Sequence, residues 1–108
     1  MTNYKLRIRV ANIRGRCPIY KIGDEIVVDE PAIAHSDGRR ICIHALGSML
    51  SMLVPLCRGV NFDSLGLSKK GEETGYVHCL DPGPPYTEGG TVLFEIKRER
   101  KHSDGSAQ

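Results

Sequence analysis

The run Tyr4-Lys5-Leu6-Arg7-Ile8-Arg9-Val10 alternates apolar and basic residues without a break. Successive side chains of a strand project to opposite faces. Leu6, Ile8 and Val10 therefore share one face, and Lys5, Arg7 and Arg9 share the other. This period of two marks a strand with one buried face and one wet, cationic face. Gly15 and the Cys17-Pro18 step end it.

A turn at Gly23-Asp24 leads into a short strand, Glu25-Ile26-Val27-Val28-Asp29, which Pro31 closes. One helix is expected from about Gly38 to about Leu56, with Ser36 or Asp37 as its N-cap. Cys42, Leu46, Met49, Leu53 and Cys57 recur at steps of four and three and line one helix face. His44, Gly47, Ser48, Ser51 and Arg58 form a contrasting small and polar face. Pro55 removes a late helical hydrogen bond, so the helix should kink there or end near Gly59. Beyond it, Tyr76-Val77-His78-Cys79 reads as a short strand and Asp81-Pro82-Gly83-Pro84-Pro85 as a rigid turn. Thr91-Val92-Leu93-Phe94-Glu95-Ile96 reads as a closing strand. The expected fold is α+β: a small, mainly antiparallel sheet of about four strands packed on one kinked helix. Residues 1–100 are expected to form one domain, followed by a flexible polar tail at 101–108.

With 108 residues the chain can build one modest core. Met1 to Arg9 mixes charge and hydrophobe, unlike a secretory leader, and Ile41–Leu56 is too short and polar to span a bilayer. A cytoplasmic location with reduced thiols and no membrane partner is the default expectation. The formal net charge of +2 conceals an asymmetry. Lys5, Arg7, Arg9, Arg14, Arg16 and Lys21 precede the first acidic residue, so the rest of the chain is acidic. A basic strand of this kind either binds phosphate or pairs with acidic neighbours inside the fold, and the second reading is favoured. Nucleic-acid binding is disfavoured, because four tyrosines and two phenylalanines supply few stacking platforms.

Chemistry rests on Cys17, Cys42, Cys57 and Cys79. On a straight helix Cys42 and Cys57 lie roughly 22 Å apart and cannot share a metal or a disulfide. Cys57 is therefore expected in the core. Cys17 ends a strand, Cys42 falls in the expected first helical turn, and Cys79 leaves a strand. Element ends are the places from which side chains converge on one pocket. Helix-start amides, with Arg16, Arg39 and Arg40 nearby, would favour a thiolate at Cys42. Converged, Cys17, Cys42 and Cys79 with His44, His78 or a water could hold zinc or another thiophilic metal. Alternatively, Cys42 could be a reactive thiol resolved by Cys17 or Cys79. Only one of His78 and Cys79 can face such a pocket from a regular strand. His44, two positions from Cys42, should point around the helix from it. Asp81 is expected to brace its own turn, with an acid role as a remoter alternative. His35 and His102 are assigned no role. No C-x-x-C, H-E-x-x-H, P-loop, G-x-G-x-x-G or nucleophile-elbow motif is present.

The order Cys17-Pro18, Gly23-Asp24, Cys42 followed by Ala45, Cys79-x-Asp81-Pro82 and a closing Val92–Ile96 strand resembles a functionally uncharacterised family of bacterial and archaeal proteins, each about ninety residues long. The resemblance covers roughly residues 4–100. It implies three recurring thiol positions, matching Cys17, Cys42 and Cys79, and supplies no reaction. The family pattern has proline after the last cysteine, where this chain has Leu80. Two readings of function follow. One is a cysteine-centred metal or redox site. The other is a non-catalytic interaction module, as a homo-oligomer or an accessory subunit of a larger enzyme, with structural cysteines.

Overall fold

The computed structural model describes residues 3–35, 38 and 40–101. Five strands, β1 (Tyr4–Arg14), β2 (Glu25–Asp29), β3 (Ala32–His35), β4 (Thr74–His78) and β5 (Thr91–Arg100), form one sheet in the order β3-β2-β1-β5-β4. Every neighbouring pair is antiparallel. One helix, α1 (Ile43–Cys57), packs on a single face of it. The α+β expectation holds, with five strands in place of about four. The additional strand, β3, follows β2 after Glu30-Pro31, with Asp29 paired to Ala32.

The alternation of β1 does what its period dictates. Leu6, Ile8 and Val10 are buried beneath α1 with Ile26, Val28, Phe94 and Ile96 of neighbouring strands, and Ala45, Met49, Leu53 and Leu56 close the core from the helix. On the opposite, uncovered face Arg7 donates to Glu25 of β2 at 3.0 Å and to Glu99 of β5 at 3.3 Å. Hydrogen bonds to these two carboxylates hold its guanidinium above its ordinary pKa. The cationic strand thus meets acidic neighbours within the sheet, as the favoured reading expected. These pairs are wet, and each contributes at most about 1 kcal/mol.

The helix starts at Ile43, later than the expected Gly38. Cys42 is its N-cap, with an extended backbone (φ −72°, ψ 125°), and the Cys42 carbonyl accepts the Leu46 amide at 2.9 Å. The expected caps Ser36 and Asp37 lie outside the described residues, as do Arg39 and the chain from His102 onward. Pro55 sits in the last turn. The end is a Schellman arrangement: Val60 N–H donates to Pro55 O at 3.0 Å and Gly59 N–H to Leu56 O at 3.2 Å, with Gly59 at φ +97°. Arg98 reinforces it from β5. Its guanidinium donates to Leu56 O and Val60 O and lies 4.6 Å from the centre of the Phe62 ring. Phe62 is fully buried and lies against Gly75 of β4, where any Cβ would overlap the ring. Among the described residues no helix is long and apolar enough to cross a membrane.

Two glycine substitutions separate packing from backbone entropy. Gly75→Ala drives a methyl into Phe62 and should destabilise by about 1–3 kcal/mol. Gly47→Ala, on the exposed helix face where an added Cβ meets nothing within 4 Å, should stabilise by about 0.5–1 kcal/mol. Urea unfolding midpoints check both.

Candidate functional site

Three segments distant in sequence enclose a largely apolar cavity of about 350 Å³, lined by Cys17, Tyr20, Cys42, His44, Cys79 and Asp81 with Pro18, Ile19, Ala45, Gly89, Gly90 and Val92. The first segment is the excursion after β1. A bulge at Ala11 shifts the register between Val10 and Asn12. The chain then loops out through Cys17 and returns so that Gly23 N–H donates to Val10 O, while Val10 N–H donates to Asp24 O. Asp24 fixes the return by accepting the Lys21 amide at 2.8 Å.

Tyr20 is the buried anchor of this excursion. Its ring stands edge-on to Phe94 at 5.5 Å, its backbone N–H donates to Cys17 Sγ at 3.3 Å, and its hydroxyl accepts the Cys42 N–H at 2.9 Å. Burial pushes the phenol pKa up, and the charges of Cys42, Cys17 and Asp24 add to the rise. The hydrogen bond from the Cys42 amide opposes it. The phenol therefore keeps its proton at neutral pH.

The second segment is the start of α1. Because the helix begins at Ile43, Cys42 and His44 are not two positions of one helix, and both reach the cavity. This corrects the expectation that His44 points around the helix from Cys42. Cys42 is half-buried, and its sulfur has no hydrogen-bond partner among the described residues.

The third segment joins β4 to β5. Cys79 is 5% exposed. Its sulfur accepts the Val92 N–H at 3.3 Å and donates to Gly90 O at 3.6 Å, so this thiol is spent on holding the two strands together. His78 alternates outward from β4, is exposed and does not line the cavity. Its Nδ1 lies 2.6 Å from Cys79 O. Asp81 braces its turn as expected. Its Oδ1 accepts the Gly83 amide at 2.8 Å and the Thr87 hydroxyl, and its carbonyl accepts from Thr91. The Thr87 hydroxyl and then the Gly83 amide hold its carboxyl below the ordinary range, with the charge of His44 adding less.

Arg16 and Arg40 are exposed. Arg16 meets the cavity wall through its backbone, because a Cβ on Gly90 would lie 2.5 Å from Arg16 O. A Cβ on Gly89 would overlap the Asp81 carboxylate. Glycine at both positions lets three strands of chain close around the thiols.

The structure thus places Cys17, Cys42 and Cys79 on one cavity, leaves His78 outside it, and sets Cys57 apart. Cys57 is buried at the other end of α1, and burial pushes its thiol pKa up. Among the described residues no group of three or more His, Cys, Asp or Glu side chains could hold a metal ion. Tyr20 and the Gly89-Gly90 pair belong to the cavity although no motif marks them as site residues. The legible signals were an aromatic three residues after a cysteine and adjoining glycines ahead of a strong strand. Comparison of the chain with family models, with curated proteins and with solved structures finds no match.

Asp81 gives the site a titration with a fixed sign. A depressed carboxyl stabilises its turn fully above the ordinary value of 3.8 and loses that contribution as pH falls through the lower folded value. The Gly83 amide resonance should therefore titrate with a midpoint below 3.8, and Thr87→Val should move that midpoint upward toward it.

Proposed function

We propose that the protein carries out thiol–disulfide exchange in this cavity, with Cys42 as the attacking thiol and Cys17 as its resolving partner. The observation that carries the reading is the convergence of Cys17, Cys42 and Cys79 on one cavity from three segments distant in sequence. All four cysteines are free thiols. Cys79 is buried and engaged through both its donor and its acceptor, and Cys57 is buried elsewhere, which leaves Cys42 and Cys17 as the available pair. Tyr20 ties these two together, bonding the sulfur of one and the amide of the other. Redox chemistry is preferred to metal binding because no ligand set of three is gathered among the described residues.

The exchange balances with an external disulfide as oxidant. The Cys42 thiolate attacks one sulfur of R–S–S–R. That bond breaks, a mixed disulfide forms, and RS⁻ leaves with the electron pair and takes up a proton. The Cys17 thiolate then attacks the Cys42 sulfur and expels the second RS⁻. Two electrons pass to the substrate, giving two thiols and a Cys17–Cys42 disulfide, and a cellular dithiol reverses the steps. The largely apolar cavity favours a small disulfide with an apolar body.

A second reading draws on the outer face of α1. Ile43, Leu50 and Val54 are 78%, 58% and 44% exposed and follow one helical stripe through Gly47. A contiguous apolar stripe of this kind is what an interaction module would cover with a partner, here a second copy of the chain. Leu50→Lys would then shift a concentration-dependent dimer to monomer in light scattering.

The exchange reading is tested by treating reduced protein with oxidised glutathione and mapping peptides without reduction. The expected product joins Cys17 to Cys42. Cys17→Ser should trap the mixed disulfide on Cys42, and Cys42→Ser should abolish both. A folded protein whose Cys42 stays unmodified, or stoichiometric metal lost on Cys42→Ser, would overturn the reading.

A further inference from the structure

Tyr20 is 6% exposed, lines the cavity together with Cys17 and Cys42, and engages its hydroxyl only as an acceptor. The oxygen takes the Cys42 N–H at 2.9 Å, and among the described residues no group accepts the hydroxyl's own hydrogen. A buried hydroxyl is rarely left with an unused donor, because losing its water costs about 1–3 kcal/mol unless a partner replaces it. The ring packs edge-on against Phe94, which directs the hydroxyl toward the Cys42 amide. The backbone N–H of the same residue is already committed to Cys17 Sγ at 3.3 Å. One residue therefore fixes the main chain of Cys42, contacts the sulfur of Cys17, and keeps one uncommitted O–H donor at the cavity.

We infer that Tyr20 is the positioning residue of the exchange pair: it holds Cys17 and Cys42 in mutual register and offers its O–H to the thiolate that exchange generates in the cavity. This rests on the exchange reading above and adds the group that stabilises the anion. The negative charge on sulfur develops in a pocket with few polar groups. Cys17, Cys42, Cys79, His44 and Asp81 are the ionisable side chains lining it, and Asp24 faces Tyr20 from the excursion. The Asp81 carboxylate is engaged by the Gly83 amide and the Thr87 hydroxyl, and Cys79 by the backbone of β5. Of the groups lining the cavity, the Tyr20 phenol and the His44 ring remain as donors, and a hydrogen bond to a charged acceptor is roughly twice as strong as one between neutral groups. Donation stabilises the reduced, anionic state relative to the disulfide, so it makes the Cys17–Cys42 couple more oxidising.

Tyr20→Phe tests this, since it keeps the ring against Phe94 and deletes only the hydroxyl. Cys42 modification by 5,5′-dithiobis(2-nitrobenzoate) and the Cys17–Cys42 potential in glutathione buffers are measured on the full chain, with thermal melts as the check on folding. The expected result is a Tyr20→Phe variant that melts as a folded protein, modifies Cys42 about tenfold more slowly, and has a more negative potential. Tyr20→His, which restores a ring N–H donor, should recover part of the rate. A wild type that forms the Cys17–Cys42 disulfide while Tyr20→Phe matches it in rate and potential would overturn the role of Tyr20 and leave the exchange reading intact. A wild type that forms no such disulfide overturns both. Should Tyr20→Phe fail to fold, Tyr20→His carries the test, and an unchanged potential in it combined with a slowed rate counts against anion stabilisation.

Discussion

The pairing of β1 with β5 organises everything else. It runs from Tyr4 opposite Arg100 to Arg14 opposite Thr91 and lies at the centre of the sheet, so both hairpin partners, β2 and β4, are added to its flanks. Its apolar face supplies Leu6, Ile8, Val10, Val92, Phe94 and Ile96, all essentially buried, at the centre of the surface that α1 covers. One end of the ladder receives the helix C-terminus through Arg98. The other end carries the bulge at Ala11 and borders the thiol cavity, which Val92 lines. The cavity shares Tyr20, Ala45, Cys79 and Val92 with the core, so its walls are part of what holds the fold together.

What was legible in the sequence followed from periodicity. The alternation of Tyr4–Val10 gave the strand, its buried face and its wet face, and the spacing of Met49, Leu53 and Cys57 gave a helix and the burial of Cys57. The start of that helix was not legible, because Ser36 and Asp37 look like caps by residue type while Cys42 takes the position by geometry. A cysteine cap offers no side-chain acceptor, and the Tyr20 hydroxyl does the work of satisfying the Cys42 amide from another segment. No local pattern reports such a contact. β3 was missed for a related reason. Ala32-Ile33-Ala34-His35 is too short for alternation to speak, and its pairing with β2 comes from the turn that precedes it.

The convergence of Cys17, Cys42 and Cys79 was legible only as position at element ends. That they differ in availability was not. Two are distinguished by what their sulfurs already do: Cys79 is locked to Gly90 and Val92 of the β5 segment, whereas Cys42 is held by its backbone and leaves its sulfur uncommitted. His78 shows the converse. Adjacent to Cys79 in sequence, it is carried to the other side of the sheet by the strand's own period.

Gly89 and Gly90 have a consequence for how this pocket could change over generations of chains. One faces the Asp81 carboxylate and the other the Arg16 backbone, both at distances that admit only hydrogen. The floor of the cavity is therefore closed to side-chain variation, and any retuning of what it holds must come through its walls, at Ile19, His44 or Ala45. The glycine pair set just before the last strand is accordingly required by the shape of the cavity floor and not by the thiols on its walls.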